Sequence, residues 1–341
     1  MASISTTPPH SAHQDSSLRL LKTGSETPRQ PDFVIVGPLR AGTTMLRLML
    51  HNHPRLALVG EFVESVAMLR ESGFPETKDY RDWLATQRVV QTRGYELPEA
   101  LESYESVVES MWTQLADEHA GAELVGCTIH SRIDRILDLW PDTKLIFLVR
   151  DPRDVCRSCV GMGWNGNTAL AYHNWLNPVR HWERVRPALP DDRWTMVRYE
   201  DLLKDPESQL TECARLLGVE YHTDMLRFHE TSSYERLDPK LAEQWKRKMT
   251  PRCAELIEAQ CDPIMRAYGY EPSVQSPRGP SPLESIRLRL SDACGRFRWR
   301  VNRYGLPLEL SWKIARRLPI TNAWRVRVRT RMNRIDHQHL R

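Results

Sequence analysis

No stretch of this chain approaches the roughly 20 consecutive apolar residues that a membrane-spanning helix needs. The opening segment, MASISTTPPHSAHQDSS, also lacks the apolar core of a secretory signal, so a cytoplasmic protein is expected. Cysteine is sparse and odd in number, seven in 341 residues, and a chain this long can bury a core without a disulfide framework. Cys156 and Cys159 form a CxxC, but a zinc site needs a second ligand pair at similar spacing nearby, and the sequence offers none. Two thiols packed on a helix are expected there, and no metal. There is no collagen-like period and no sustained heptad. Hydrophobic residues at 40%, charged residues at 27% and a mean hydropathy of -0.53 fit a globular protein rather than a disordered chain.

Charge is unevenly distributed. Residues 271–341 hold 16 basic and 5 acidic side chains, a net +11, while the rest of the chain carries a net -7. Such a tail fits an anionic partner surface or a solvated basic face; a nucleic-acid partner is not expected. Residues 1–31, rich in Ser, Thr, Pro, His and Gln, read as a disordered arm. A body spanning 32–270 follows, then a proline-rich linker, 271–282, and a basic extension, 283–341. In that extension Leu283, Ile286, Leu290, Cys294, Phe297, Val301 and Tyr304 recur at intervals of three and four, the pattern of one helix face. The face needs cover. It packs on the body, or it lies on a membrane with its arginines at lipid phosphates and Trp299 and Trp312 near the interface, giving a protein peripheral to the membrane.

Short β-branched runs alternate with longer amphipathic stretches through the body, the signature of an α/β fold with a parallel sheet flanked by helices. Expected strands are Phe33–Gly37, Leu56–Val59, Glu123–Cys127, Lys144–Val149 and Trp194–Tyr199, apolar enough to be buried on both faces. The first is followed by GPLRAGTT and an apolar helical run, with Gly37 and Gly42 at the spacing of a phosphate-binding P-loop. A triphosphatase needs a lysine directly after the second glycine, where this chain has Thr43; its cation, Arg40, lies inside the loop and suits a forked bond to phosphate or sulfate. The strand-to-helix junction KLIFLVRDPRDVCRSC repeats the logic, with Arg150 at a strand end and Ser158 eight residues on. Arg150, Asp151, Arg153 and Asp154 there read either as an anion site or as an ion-pair cluster capping the helix.

The segment RAGTT, Arg40 to Thr44, closely resembles the RSGTT loop of the sulfotransferases that use 3'-phosphoadenosine 5'-phosphosulfate, in particular their bacterial and tyrosylprotein branches. RDPRD is a common wording in the bacterial branch. The resemblance covers about residues 32–270. It implies that Arg40, Ala41, Gly42, Thr43 and Thr44 hold the 5'-phosphosulfate, that Arg150 and Ser158 hold the 3'-phosphate, and that Tyr199, in WTMVRYEDLLKDP, lies near the adenine. It also implies a carboxylate base shortly after a His-Pro, which is Glu61 in HNHPRLALVGEFVES, with Glu64 as its competitor and His130, in GCTIHSR, as a second candidate base. Cys127 stands where relatives of the tyrosylprotein type carry lysine, so either another basic group, such as His130, Arg132 or Arg157, supplies the charge on the sulfuryl oxygens, or the donor is held differently. His51 and His53 share no helix face and read as surface residues. The loop GMGWNGN, residues 161–167, reads either as a cover that selects the acceptor or as a connector with a packing indole.

The leading expectation is therefore a metal-independent transferase that moves a sulfuryl group to a small-molecule, glycan, lipid or tyrosine hydroxyl. The alternatives are a P-loop nucleotide kinase or triphosphatase, and a catalytically degenerate nucleotide-binding protein at a membrane surface.

Overall fold

The computed structural model describes residues 29–317 and 322–339. All five expected strands form, as β1 Phe33–Val36, β2 Leu56–Glu61, β3 Leu124–Ile129, β4 Lys144–Val149 and β5 Trp194–Arg198. They pair in parallel in the order β2-β3-β1-β4-β5. Because successive strand side chains point to opposite faces, an apolar run without alternation needs helices on both. Phe33, Ile35, Ile146 and Leu148 face helices Thr43–His51 and Pro206–Leu217. Val34, Val36, Leu145 and Phe147 face the other layer, where Trp112, Trp175 and Trp182 fill the core from helices Tyr104–Asp117 and His173–Val185. Phe147 stacks on Trp182 with ring centroids 4.6 Å apart.

The chain runs from β1 outward to β2 and β3, then crosses to β4 and β5 on the other side. The change of direction falls between β1 and β4, whose Val36 and Phe147 are in register. In open parallel sheets ligands bind at the carboxyl edge beside such a reversal. Both anion loops of the sequence leave the sheet there.

Of the expected arm, residues 1–28 lie outside the described residues. Its last part is not free: the Arg29 amide donates to Glu109, and the Gln30 side chain to Asp142. Residues 271–281 form no helix or strand. Helix Pro282–Tyr304 then begins with a capping box, in which Ser281 Oγ accepts from the Glu284 amide and Glu284 returns a bond to the Ser281 amide. Proline stands at its first position, and Gly305 with φ 79° closes it. Helices Leu306–Arg317 and Asn322–Gln338 follow.

Of the two covers expected for the apolar face of Pro282–Tyr304, the body is not the one: Leu283, Ile286, Leu290 and Phe297 are exposed. The opposite, polar face does the packing, with Asp292 accepting from the amides of Gly166 and Asn167 at 2.8 and 3.1 Å. Gly295 lies against Gly166, and Trp299 against Gly163, so Trp299 faces the body and not an outer surface.

Candidate functional site

The turn after β1 is shaped by two residues. Arg40 sits in the left-handed region at φ 64°, and Gly42, at φ 107°, must be glycine because a β-carbon there would fall 2.4 Å from Cδ2 of Tyr199. Helix Thr43–His51 starts directly after it with no side-chain cap and no acidic residue in its first turn, so its free amides and positive dipole end stay open to an anion. At the neighbouring strand end, Asp151 caps helix Pro152–Gly161 by accepting from the Arg153 amide, with Pro152 at the first helical position.

The ion-pair reading of RDPRD describes three of its residues. Arg153 is buried and pairs with Asp151 and Glu258, each at 2.7 Å, under the Trp245 ring. Asp154 is fully buried and accepts from the amides of Gln244 and Trp245 at 3.2 and 2.8 Å; desolvation pushes its carboxyl above the usual range. These three residues build a scaffold. Arg150 is free of it except for a 3.7 Å approach to Asp154, and it donates to the Arg40 and Leu241 carbonyls at 3.4 and 2.8 Å. Its guanidinium lies 4.1 Å over the Tyr199 ring.

Arg40, Gly42, Thr43, Thr44, Glu61, His130, Arg150 and Tyr199 all line one cavity of about 480 Å³. Ser158 is not in its wall, but its hydroxyl accepts from Arg40 Nε at 2.9 Å and so links the two anion loops. Ala41 is outside the wall too: its methyl is in the core and its amide donates to Pro38 O. Trp164, from the loop 161–167, reaches the cavity as a cover residue would.

Glu61 and His130 meet at the end of the sheet. His130 is 5% exposed; its Nδ1 lies 3.2 Å from Gly37 O and its Nε2 3.6 Å from Glu61 Oε1, so the ring is held between a backbone carbonyl and the carboxylate. Contact with His130 holds the Glu61 carboxyl below the usual range, against the opposing effect of its partial desolvation. Glu64 does not compete. It is absent from the cavity wall, and burial pushes its carboxyl upward beside an unpartnered Oε2.

Other expected residues lie elsewhere. Cys127 is fully buried in the core, and burial raises its thiol. Cys156 and Cys159 are core thiols on helix Pro152–Gly161. Arg132 and Arg157 are outside the cavity wall, Arg157 donating to Gln244 at 2.7 Å. The arginines that line the cavity are Arg40, Arg150 and Arg236, with His130 beside Glu61. His53 is not a surface residue: it is buried, with Nε2 donating to Glu220 O at 2.9 Å and Nδ1 accepting from the Arg55 amide at 3.1 Å. A whole wall went unread in the sequence. The segment from Ser233 to Leu241 closes one side of the cavity with Tyr234, Arg236 and Asp238. Its wording, SYERLDPKL, has no periodic pattern and no phosphate-loop spacing; only its aromatic and basic residues among turn formers hint at a binding segment.

Among the described residues no helix is long and apolar enough to cross a membrane. The sulfotransferase family model matches residues 31–224. Protein-tyrosine sulfotransferase A of Caenorhabditis elegans is 21% identical over 286 residues, covering 77% of this chain and 74% of that protein. Carbohydrate sulfotransferase 3 of Tetronarce californica is 23% identical over 167 residues, 39% of this chain and 37% of its own length. The sulfotransferase domain of the Synechococcus PCC 7002 olefin synthase shares the fold, with a TM-score of 0.52 at 22% identity over 73% of this chain and 99% of that domain. A parallel sheet with an arginine-bearing glycine loop at its point of reversal, and a family match over more than half the chain, make this protein a member of the sulfotransferase family.

Proposed function

We propose that the protein transfers the sulfuryl group of 3'-phosphoadenosine 5'-phosphosulfate to a hydroxyl acceptor, with Glu61 as general base. The observation that carries this reading is the common cavity onto which Arg40 and Arg150 both open from adjacent strand ends, although 110 residues separate them in the chain. A donor with anionic groups at both ends needs two such grips. In this reading the open amides after Gly42, with Thr43, Thr44 and Arg40, take the phosphosulfate. Arg150 takes the 3'-phosphate with Ser158 nearby, and Tyr199, already under a guanidinium, bounds the adenosine.

The acceptor oxygen attacks sulfur in line. Its bond to sulfur forms as the bond from sulfur to the bridging phosphate oxygen breaks, the proton passes to Glu61, and 3'-phosphoadenosine 5'-phosphate departs with both electrons of that bond. His130 holds the Glu61 carboxyl low, and Arg40 brings positive charge to the sulfuryl oxygens, which removes the need for a lysine at position 127. The 161–167 and 233–241 segments bound the acceptor side.

Calorimetric titration of the Arg150→Ala protein tests the assignment. Binding of 3'-phosphoadenosine 5'-phosphate is expected to weaken by roughly 2 to 4 kcal/mol with adenosine 5'-phosphate little changed, since one charge-assisted contact is lost. Equal losses for both ligands would remove Arg150 from the 3'-phosphate.

A further inference from the structure

The apolar side of helix Pro282–Tyr304 faces away from the body. Leu283, Ile286, Leu290 and Phe297 are 59%, 57%, 62% and 36% exposed, and Cys294 lies exposed among them, so the stripe runs along most of a helix about 34 Å long. It continues on the next helix through Leu306, Leu310 and Ile314, which are 47%, 44% and 49% exposed, and Lys313 Nζ lies 4.0 Å over the Phe297 ring where the two helices meet. An apolar face of this extent, left open on a capped helix, is an interaction surface.

Charge decides what covers it. At 100° per residue, Arg287 and Arg298 flank the stripe on one side and Arg289 on the other. Arg287, Arg289, Arg298, Arg316 and Arg317 are exposed and make no ion pair among the described residues. The acidic residues of the two helices are already engaged: Glu284 by Arg252, Asp292 by the Gly166 and Asn167 amides, Glu309 by Arg300. A second copy of the chain would bring arginine against arginine, with no carboxylate left to separate them. A negatively charged lipid surface answers both features at once, burying the leucines among the acyl chains while the arginines meet phosphates.

We propose that the outward face of residues 282–317 docks on an anionic membrane surface, lying in its plane. The opposite face stays with the body through Asp292, Gly295 and Trp299, so docking needs no rearrangement of the helix. The claim does not depend on the chemistry assigned to the cavity.

Co-sedimentation of the full chain with vesicles tests it. Vesicles of phosphatidylcholine with about 30 mol% phosphatidylserine are expected to carry the protein down, vesicles of phosphatidylcholine alone are not, and added salt is expected to release it. Replacing Leu283, Ile286 and Leu290 together by serine should weaken partitioning about tenfold or more. Arg287→Gln and Arg298→Gln, which leave the stripe intact, should each weaken it about fivefold. Failure to bind the anionic vesicles overturns the proposal. So does equal binding by the serine variant, or a dimer in sedimentation equilibrium that the serine variant dissolves. Circular dichroism melting of each variant verifies that the helix is retained.

Discussion

Replacing His130 by asparagine removes the partner that holds Glu61 ionised, and the expected consequence is a displaced acid limb in the pH profile. The ring nitrogen and carboxylate oxygen are 3.6 Å apart. A hydrogen bond to a charged group is worth about 1.5 to 3 kcal/mol when well formed. The Glu61 side chain is 57% exposed, so the lower figure governs. The base works when ionised, and its folded value is depressed, so wild-type activity persists on acidification until the pH falls through that depressed value. Without His130 the desolvation of Glu61, which opposes the depression, is left to be offset by the more distant Arg88 and Arg47. The acid limb of kcat/KM should then move to higher pH. The assay is kcat/KM against pH for both proteins with a fixed acceptor. A limb that stays in place while activity falls would refute the pairing and leave His130 with a direct role on the substrate.

Glu61→Gln is expected to keep donor affinity while lowering turnover about a hundredfold or more in steady-state assays; unchanged turnover would move the base elsewhere. Gly42→Ala puts a β-carbon 2.4 Å from the Tyr199 ring at a left-handed backbone position, and should cost at least about 1 kcal/mol in chemical denaturation and weaken donor binding. Cys127→Lys places an ammonium at a fully buried core position and is expected to destabilise the fold by several kcal/mol rather than improve catalysis, as denaturation curves would record.

The five strands were legible because parallel strands buried on both faces are short apolar runs between polar boundaries, and KLIFLV can be little else. That Arg40 and Arg150 sit on two loops at the carboxyl edge of the sheet was legible because strand, glycine or proline turn, and helix leave a fixed order in the sequence. The sense of helix Pro282–Tyr304 was not legible. Its period defines an apolar face but says nothing of which face meets the body, and a single carboxylate, Asp292, with two glycine contacts decided that. His53 misled because helix-face spacing ignores the chain that returns to cover it, here at Glu220. The 233–241 wall was hidden because irregular segments owe their position to tertiary contacts such as the bond from Arg150 to Leu241 O.

The adjacency of β1 and β4 has a further reach. The spacing of the strand ends that lead to Arg40 and Arg150 is set by one inter-strand step, about 4.8 Å, and not by the long chain segment that joins them. The surface loops between the strands can therefore vary across descendants of this scaffold while those two ends keep their separation, which, on the proposed function, lets new acceptors be explored without renegotiating the donor.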